Sequence, residues 1–148
     1  MAAVKLDRDA LAQLLPHAGA MCLLDEVTFH DDARIVCISA QHANPDNPLA
    51  VDGRLASVHG IEFAAQAMAV HAALCHGENR YPSIGWLASI RDCVLHSDRL
   101  DSLPVPLCVS AERVAAAGGA LMYDFSIAAG DTRVLEGRAT VALVAPAA

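Results

Sequence analysis

The segment Ser57-Val-His-Gly-Ile-Glu-Phe-Ala-Ala-Gln-Ala-Met-Ala-Val-His-Ala-Ala-Leu-Cys-His76 constrains this chain more than any other, because it reads as one long, almost wholly apolar helix with a single carboxylate. Glu62 is the only acid between Asp52 and Glu78. A helix that is apolar nearly all round is normally buried. A carboxylate inside it is costly unless it is paired, hydrogen-bonded or protonated. Gln66 lies one turn after Glu62 and His59 three residues before it, so the three share a helical face. A short polar stripe on an otherwise greasy helix points to an active site. Glu62 could equally accept backbone N–H bonds in the first helical turn. The two readings are compatible, since that end of a helix also suits a polarised carbonyl.

A length of 148 residues corresponds to one domain, read as residues 1–148. With 55% hydrophobic and 18% charged residues, the chain is too apolar to be disordered. A net charge of −7, with no run of Lys or Arg, argues against a nucleic-acid surface. The N-terminus lacks a charged start followed by an apolar run, so no secretory signal is expected and the cytoplasm is the expected compartment. Residues 61–75, interrupted by Glu62, Gln66 and His71, are too short and polar for a membrane span. The five cysteines are widely spaced, without a C-x-x-C pair, and read as small buried hydrophobes. His71 and His76 are five apart, and neither a metal nor a cofactor is expected.

Along the chain, Leu6 to Leu15 has helical spacing with Asp7 as its cap and Pro16 as its stop. Met21 to Phe29 and Arg34 to Gln41 read as a hairpin turning at His30-Asp-Asp-Ala33. His42 to Ala56 is rich in Pro, Asn, Asp and Gly and reads as a loop, with Asn44 or Asn47 tethering its backbone. Ser57 is the expected N-cap of the long helix and Gly77 its stop. Further strands are expected at Trp86–His96, Val105–Ala115, Leu121–Ala128 and Arg133–Val144, with Ala111 to Ala120 as a wide turn. One long helix with six strands predicts an α+β domain whose antiparallel sheet wraps that helix.

These motifs resemble the hotdog-fold 3-hydroxyacyl-[acyl-carrier-protein] dehydratases of fatty-acid and polyketide synthesis. The resemblance is carried by Leu14-Leu-Pro-His17, Met21-Cys-Leu-Leu-Asp-Glu-Val27, Glu62-Phe-Ala-Ala-Gln66-Ala-Met68 and Leu87-Ala-Ser-Ile-Arg91. More narrowly, Asn47-Pro-Leu49, Asp52-Gly-Arg-Leu55 and Gly60-Ile-Glu62 are similar to dehydratase-like proteins of aryl-polyene biosynthetic clusters. The chain has no Gly-His-Phe turn, its His42 precedes Glu62 by 20 residues, and Ser57 stands where the family has a glycine.

The resemblance implies a curved six-stranded sheet around one central helix. It also implies a site between two subunits and dehydration of a 3-hydroxyacyl carrier thioester to the trans-2-enoyl thioester. The implied partners are an acyl carrier protein and either a second copy or a related hotdog subunit. Glu62 and His42 are the expected catalytic pair, as acid and base, with His59 the rival base. Backbone N–H groups around His59 and Gly60 are expected to receive the thioester oxygen, and Gln66 to line the substrate. Burial is expected to raise the Glu62 pKa so that it holds a proton. His17 is expected to fix the N-terminal segment and His71 to be a satisfied interior residue. Two other activities fit the same scaffold, a thioesterase and a non-catalytic partner of an active dehydratase.

Overall fold

The computed structural model describes residues 5–15, 19–76 and 84–144. Pro16, His17 and Gly77 therefore lie outside the described residues. The first helix, α1 (Arg8–Leu14), starts where its cap dictates: the Asp7 carboxylate accepts the Ala10 N–H at 2.9 Å. Next come β1 (Glu26–His30), β2 (Arg34–Ser39), the long helix α2 (Gly60–His76), and then β3 (Ile84–Leu95), β4 (Leu107–Ala117), β5 (Ala120–Ala129) and β6 (Thr132–Val144). The six strands form one antiparallel sheet in the order β1-β2-β4-β5-β6-β3. This is the hotdog fold, with α2 seated on the strands β2, β4 and β5.

The alternation expected of a half-buried strand is clear in β5, where Leu121, Tyr123, Phe125, Ile127 and Ala129 are buried and the residues between them are not. Phe63, Ala64, Ala67 and Val70 of α2 are wholly buried against that layer. Gly60, at the head of the helix, permits a close approach to the Leu135 and Ile127 side chains. A Cβ there would stand 2.3 Å from Leu135 Cδ2 and 3.1 Å from Ile127 Cδ1, so any larger residue would force these side chains aside. Among the described residues no helix is long and apolar enough to cross a membrane.

Several boundaries differ from the sequence reading. β1 begins at Glu26 rather than Met21, although Cys22, Leu23 and Leu24 are buried. The reason is a change of partner: the Leu23 N–H goes to the Gln66 side chain at 2.9 Å and its carbonyl accepts the Ser39 hydroxyl, so side chains take the place of the ladder. Gln41 leaves β2 to open a short 3₁₀ turn, Gln41–Ala43. Ala111–Ala120 is not a wide turn. β4 runs to Ala117, which pairs with Ala120 across Gly118-Gly119, and both glycines have the positive φ that a two-residue hairpin requires.

Ser57 is not an N-cap: it is the first residue of a 3₁₀ turn, Ser57–His59, and its hydroxyl is buried without a hydrogen-bond partner among the described residues. The five cysteines also divide. Cys22 and Cys37 are buried, Cys93 and Cys108 partly so, and Cys75 is exposed at the end of α2.

Candidate active site

Of the expected polar stripe, Glu62 and Gln66 lie on α2, with Gln66 at its centre, whereas His59 stands ahead of the helix in the Ser57–His59 3₁₀ turn. The Gln66 side chain is 1% exposed and its amide is used on both sides. Oε1 accepts the Leu23 N–H at 2.9 Å, while Nε2 donates to the Met21 carbonyl at 2.8 Å and to Glu62 Oε2 at 3.3 Å. Because a backbone N–H can only donate and a carbonyl can only accept, this pattern fixes which way the amide faces. Glu62 is half-buried in the first turn of α2. Gln66, expected to line the substrate, is thus a strut between the segment before β1 and the carboxylate.

His42 sits in the 3₁₀ turn after β2 and is 2% exposed. Its Nε2 lies 3.1 Å from the Leu103 carbonyl. A carbonyl is only an acceptor, so in the neutral ring the hydrogen is on Nε2 and Nδ1 keeps its lone pair. Nδ1 is buried and carries no hydrogen bond among the described residues. That is the electronic state of a general base awaiting a proton. The loop holding it is tied by Asn47, whose Nδ2 donates to the Gln41 carbonyl at 2.8 Å and whose Oδ1 accepts the Leu49 N–H at 2.9 Å. Asn44 closes the neighbouring turn by accepting the Asp46 N–H at 2.9 Å. Tethering is expected of Asn44 or Asn47, and both contribute.

The amides read as a receptor for the thioester oxygen are engaged within the chain. The His59 N–H donates to the Ala56 carbonyl at 3.1 Å, and the Gly60 N–H points to the Ser57 carbonyl. The 3₁₀ turn ahead of the helix consumes them. The His59 ring is half-buried beside a cleft of about 520 Å³ bordered by Val51, Arg54, Ala56, Asp98 and Arg99. A second concavity of similar volume crosses the sheet, but its outward charges partly neutralise one another, as in Arg138–Asp124 at 2.7 Å.

The segment Asp98–Leu103, whose first residues resemble the family's turn but carry no expected site role, lies against both halves of the site. The Asp98 carbonyl accepts the Ser57 N–H at 3.0 Å, Leu100 N–H donates to Leu55 O at 2.8 Å, and the Leu103 carbonyl holds His42. Arg99 and Asp101 form an ion pair at its centre, and the Arg99 guanidinium, with the Leu55 N–H, holds the Asp101 carboxyl well below the usual carboxylate range. The one sequence signal is the Asp98-Arg-Leu-Asp101 run, which has no motif that would point to His42.

The chain matches the family model for ApeP dehydratases over residues 9–147. It belongs to the ApeP-like dehydratase family. Among solved structures it is similar to the dehydratase heterocomplex ApeI:P from Xenorhabdus doucetiae, with a TM-score of 0.78, 21% identity and 90% of each chain covered. It is also similar to a thioesterase from Haemophilus influenzae, at TM-score 0.65 and 12% identity over 95% of this chain and 92% of that one. A mutant thioesterase from Pseudomonas aeruginosa matches at TM-score 0.60 and 15% identity over 81% of each chain. No curated protein sequence matches significantly. Membership of this family agrees with the resemblance that the Glu62–Gln66 and Asp52-Gly-Arg-Leu55 motifs carry.

His71 is the satisfied interior residue expected. It is wholly buried, with Nδ1 2.7 Å from the Tyr123 hydroxyl and Nε2 2.9 Å from the Asp31 carbonyl. Cys75 Sγ lies 3.5 Å from its Nε2, yet among the described residues no group of three His, Cys, Asp or Glu could hold a metal.

Proposed function

We propose that this chain is a subunit of a dehydratase that removes water from a 3-hydroxyacyl thioester carried on an acyl carrier protein. The observation that carries this reading is His42, whose buried Nδ1 has a free lone pair because Nε2 is committed to Leu103. In this mechanism Nδ1 takes the proton next to the thioester carbonyl. Negative charge moves onto the thioester oxygen, the C–O bond to the 3-hydroxyl breaks, and protonated Glu62 delivers its proton to the departing oxygen as water. His42 then returns its proton to Glu62 through solvent. Gln66, which holds Glu62 Oε2, keeps the acid in one orientation. His59 borders the cleft through which a long thioester arm would enter, and Gly60 keeps the head of α2 close to the sheet.

The second subunit in this reading is a related hotdog chain. Among the described residues β3 ends the sheet with a 12-residue strand paired only to β6, and such an edge is a ready template for a further strand. A non-catalytic role beside an active partner is favoured by one observation, the engagement of the His59 and Gly60 amides within the chain.

The deciding experiment incubates a 3-hydroxyacyl carrier thioester with this chain, with and without a related hotdog subunit, and follows loss of one water by intact mass spectrometry. Loss of water that disappears with Glu62→Gln assigns the chemistry to this chain. Loss of water that needs the partner and survives Glu62→Gln and His42→Gln assigns the non-catalytic role. Release of free thiol instead of water makes the chain a thioesterase.

A further inference from the structure

His42 is useful as a base only while its hydrogen stays on Nε2, and that depends on where the Leu103 carbonyl points. Pro104 follows Leu103 and restricts its backbone to extended conformations, so the carbonyl cannot turn freely on its own bond. The turn that carries it is closed by the Leu103 N–H on the Leu100 carbonyl at 3.1 Å. Leu100 in turn donates to the Leu55 carbonyl at 2.8 Å, and Leu55 donates to Asp101 Oδ1, also at 2.8 Å. Arg99 closes the clasp on the other side of Asp101, with Nε 3.1 Å from Oδ1 and a second nitrogen on Oδ2. One carboxylate, its side chain only 16% exposed, thus pins the turn to the strand-like stretch ahead of α2 from two directions.

From this chain of contacts we propose that Asp101 is a positioning residue for His42, acting through the Leu103 carbonyl to fix the ring as the Nε2–H tautomer; the inference rests on His42 being the base. Asp101 touches neither substrate nor reacting atoms. Its task is to keep one carbonyl in place. Without the clasp the turn loosens, the imidazole samples both tautomers, and a fraction of the molecules presents an N–H where a lone pair is needed.

The test has two readouts on the full chain, with the partner subunit present if dehydration requires it. Long-range ¹H–¹⁵N spectra of histidine-labelled protein, at a pH where the rings are neutral, report the His42 tautomer directly. The wild type is expected to show a single Nε2–H form and Asp101→Ala a mixture, with kcat falling on the order of tenfold and KM nearly unchanged, as for a small misplacement of a catalytic group. Asp101→Asn keeps an oxygen for Leu55 N–H and is expected to fall between the two. If Asp101→Ala does not fold, Arg99→Gln opens the same clasp while leaving the Leu55 bond, and the same mixture is expected. An Nδ1–H form in the wild type, or wild-type tautomer and kcat in a folded clasp variant, overturns the inference. His42→Gln separates the two levels: if it dehydrates normally the base reading fails, while the tautomer spectra still judge the link from Asp101 to His42.

Discussion

Gln66 reaches Glu62 from one helical turn away, its Nε2 3.3 Å from the carboxylate, while the same amide bridges Met21 and Leu23 in the segment that leads into β1. The acid is therefore held by a residue that also joins α2 to the sheet, and the two roles separate by mutation. Gln66→Ala strands a backbone N–H and a carbonyl in the interior, at about 1–3 kcal/mol each. A drop of about 2–6 kcal/mol in urea unfolding is expected, together with impaired dehydration. Glu62→Gln keeps the shape and removes the acid, so dehydration should fall about a hundredfold or more with little change in the unfolding midpoint. A Glu62→Gln chain that turns over normally but melts early would make Glu62 a structural cap.

Gly60→Ala should be destabilising by about 1–3 kcal/mol, the usual range for forcing a methyl into a packed core. The new Cβ meets Leu135, so trimming that side chain should offset part of the loss. A double-mutant cycle of Gly60→Ala with Leu135→Val is expected to show a clear favourable coupling, read from chemical denaturation. Additive effects would mean that the helix shifts instead of the side chain.

Histidine 71 gives the fold a pH dependence of definite sign. Burial is the largest influence and pulls its pKa below 6.5, partly countered by the Asp31 carbonyl, while the Arg113 charge adds to the lowering. The unfolded chain then binds the proton more readily than the folded one. Its stabilising contribution is complete above pH 6.5 and is lost as the pH falls through the lower folded value. Protonation also puts an N–H against the Tyr123 O–H, at a site with no exposure. Urea midpoints at about pH 5 and about pH 8 should differ more in the wild type than in His71→Gln, because the variant lacks the titrating ring.

For the two candidate bases, His42→Ala should abolish dehydration, whereas His59→Ala should mainly raise KM, since His59 lines the cleft and His42 holds the free lone pair. Steady-state kinetics on the carrier thioester decide between them. An inactive His59→Ala beside an active His42→Ala would reverse the assignment.

Much of this architecture depends on contacts between neighbours in the chain, and that part was legible from residue order. Helical spacing placed Glu62 and Gln66 on one face because they are four residues apart, Asp31 turned the hairpin by accepting the Ala33 and Arg34 N–H groups, and Asp7 capped α1. Asn47 closes its loop over two residues in one direction and six in the other, again within the reach of local turn chemistry.

The rest came from groups distant in sequence. Leu23 reads as strand, but a side chain 43 residues away takes its N–H, and β1 begins later. Ser57 has the composition of an N-cap, yet the bond from its N–H to Asp98 turns it into a 3₁₀ residue with a buried hydroxyl. The partner of His42 is a backbone carbonyl 61 residues on, and a carbonyl has no side-chain identity for a sequence to display. Periodicity and turn chemistry act over a few residues, so they set the elements and the polar stripe on α2 from the sequence alone. The tautomer of His42 and the clasp at Asp101 were decided by packing, which brings together groups that no local pattern pairs.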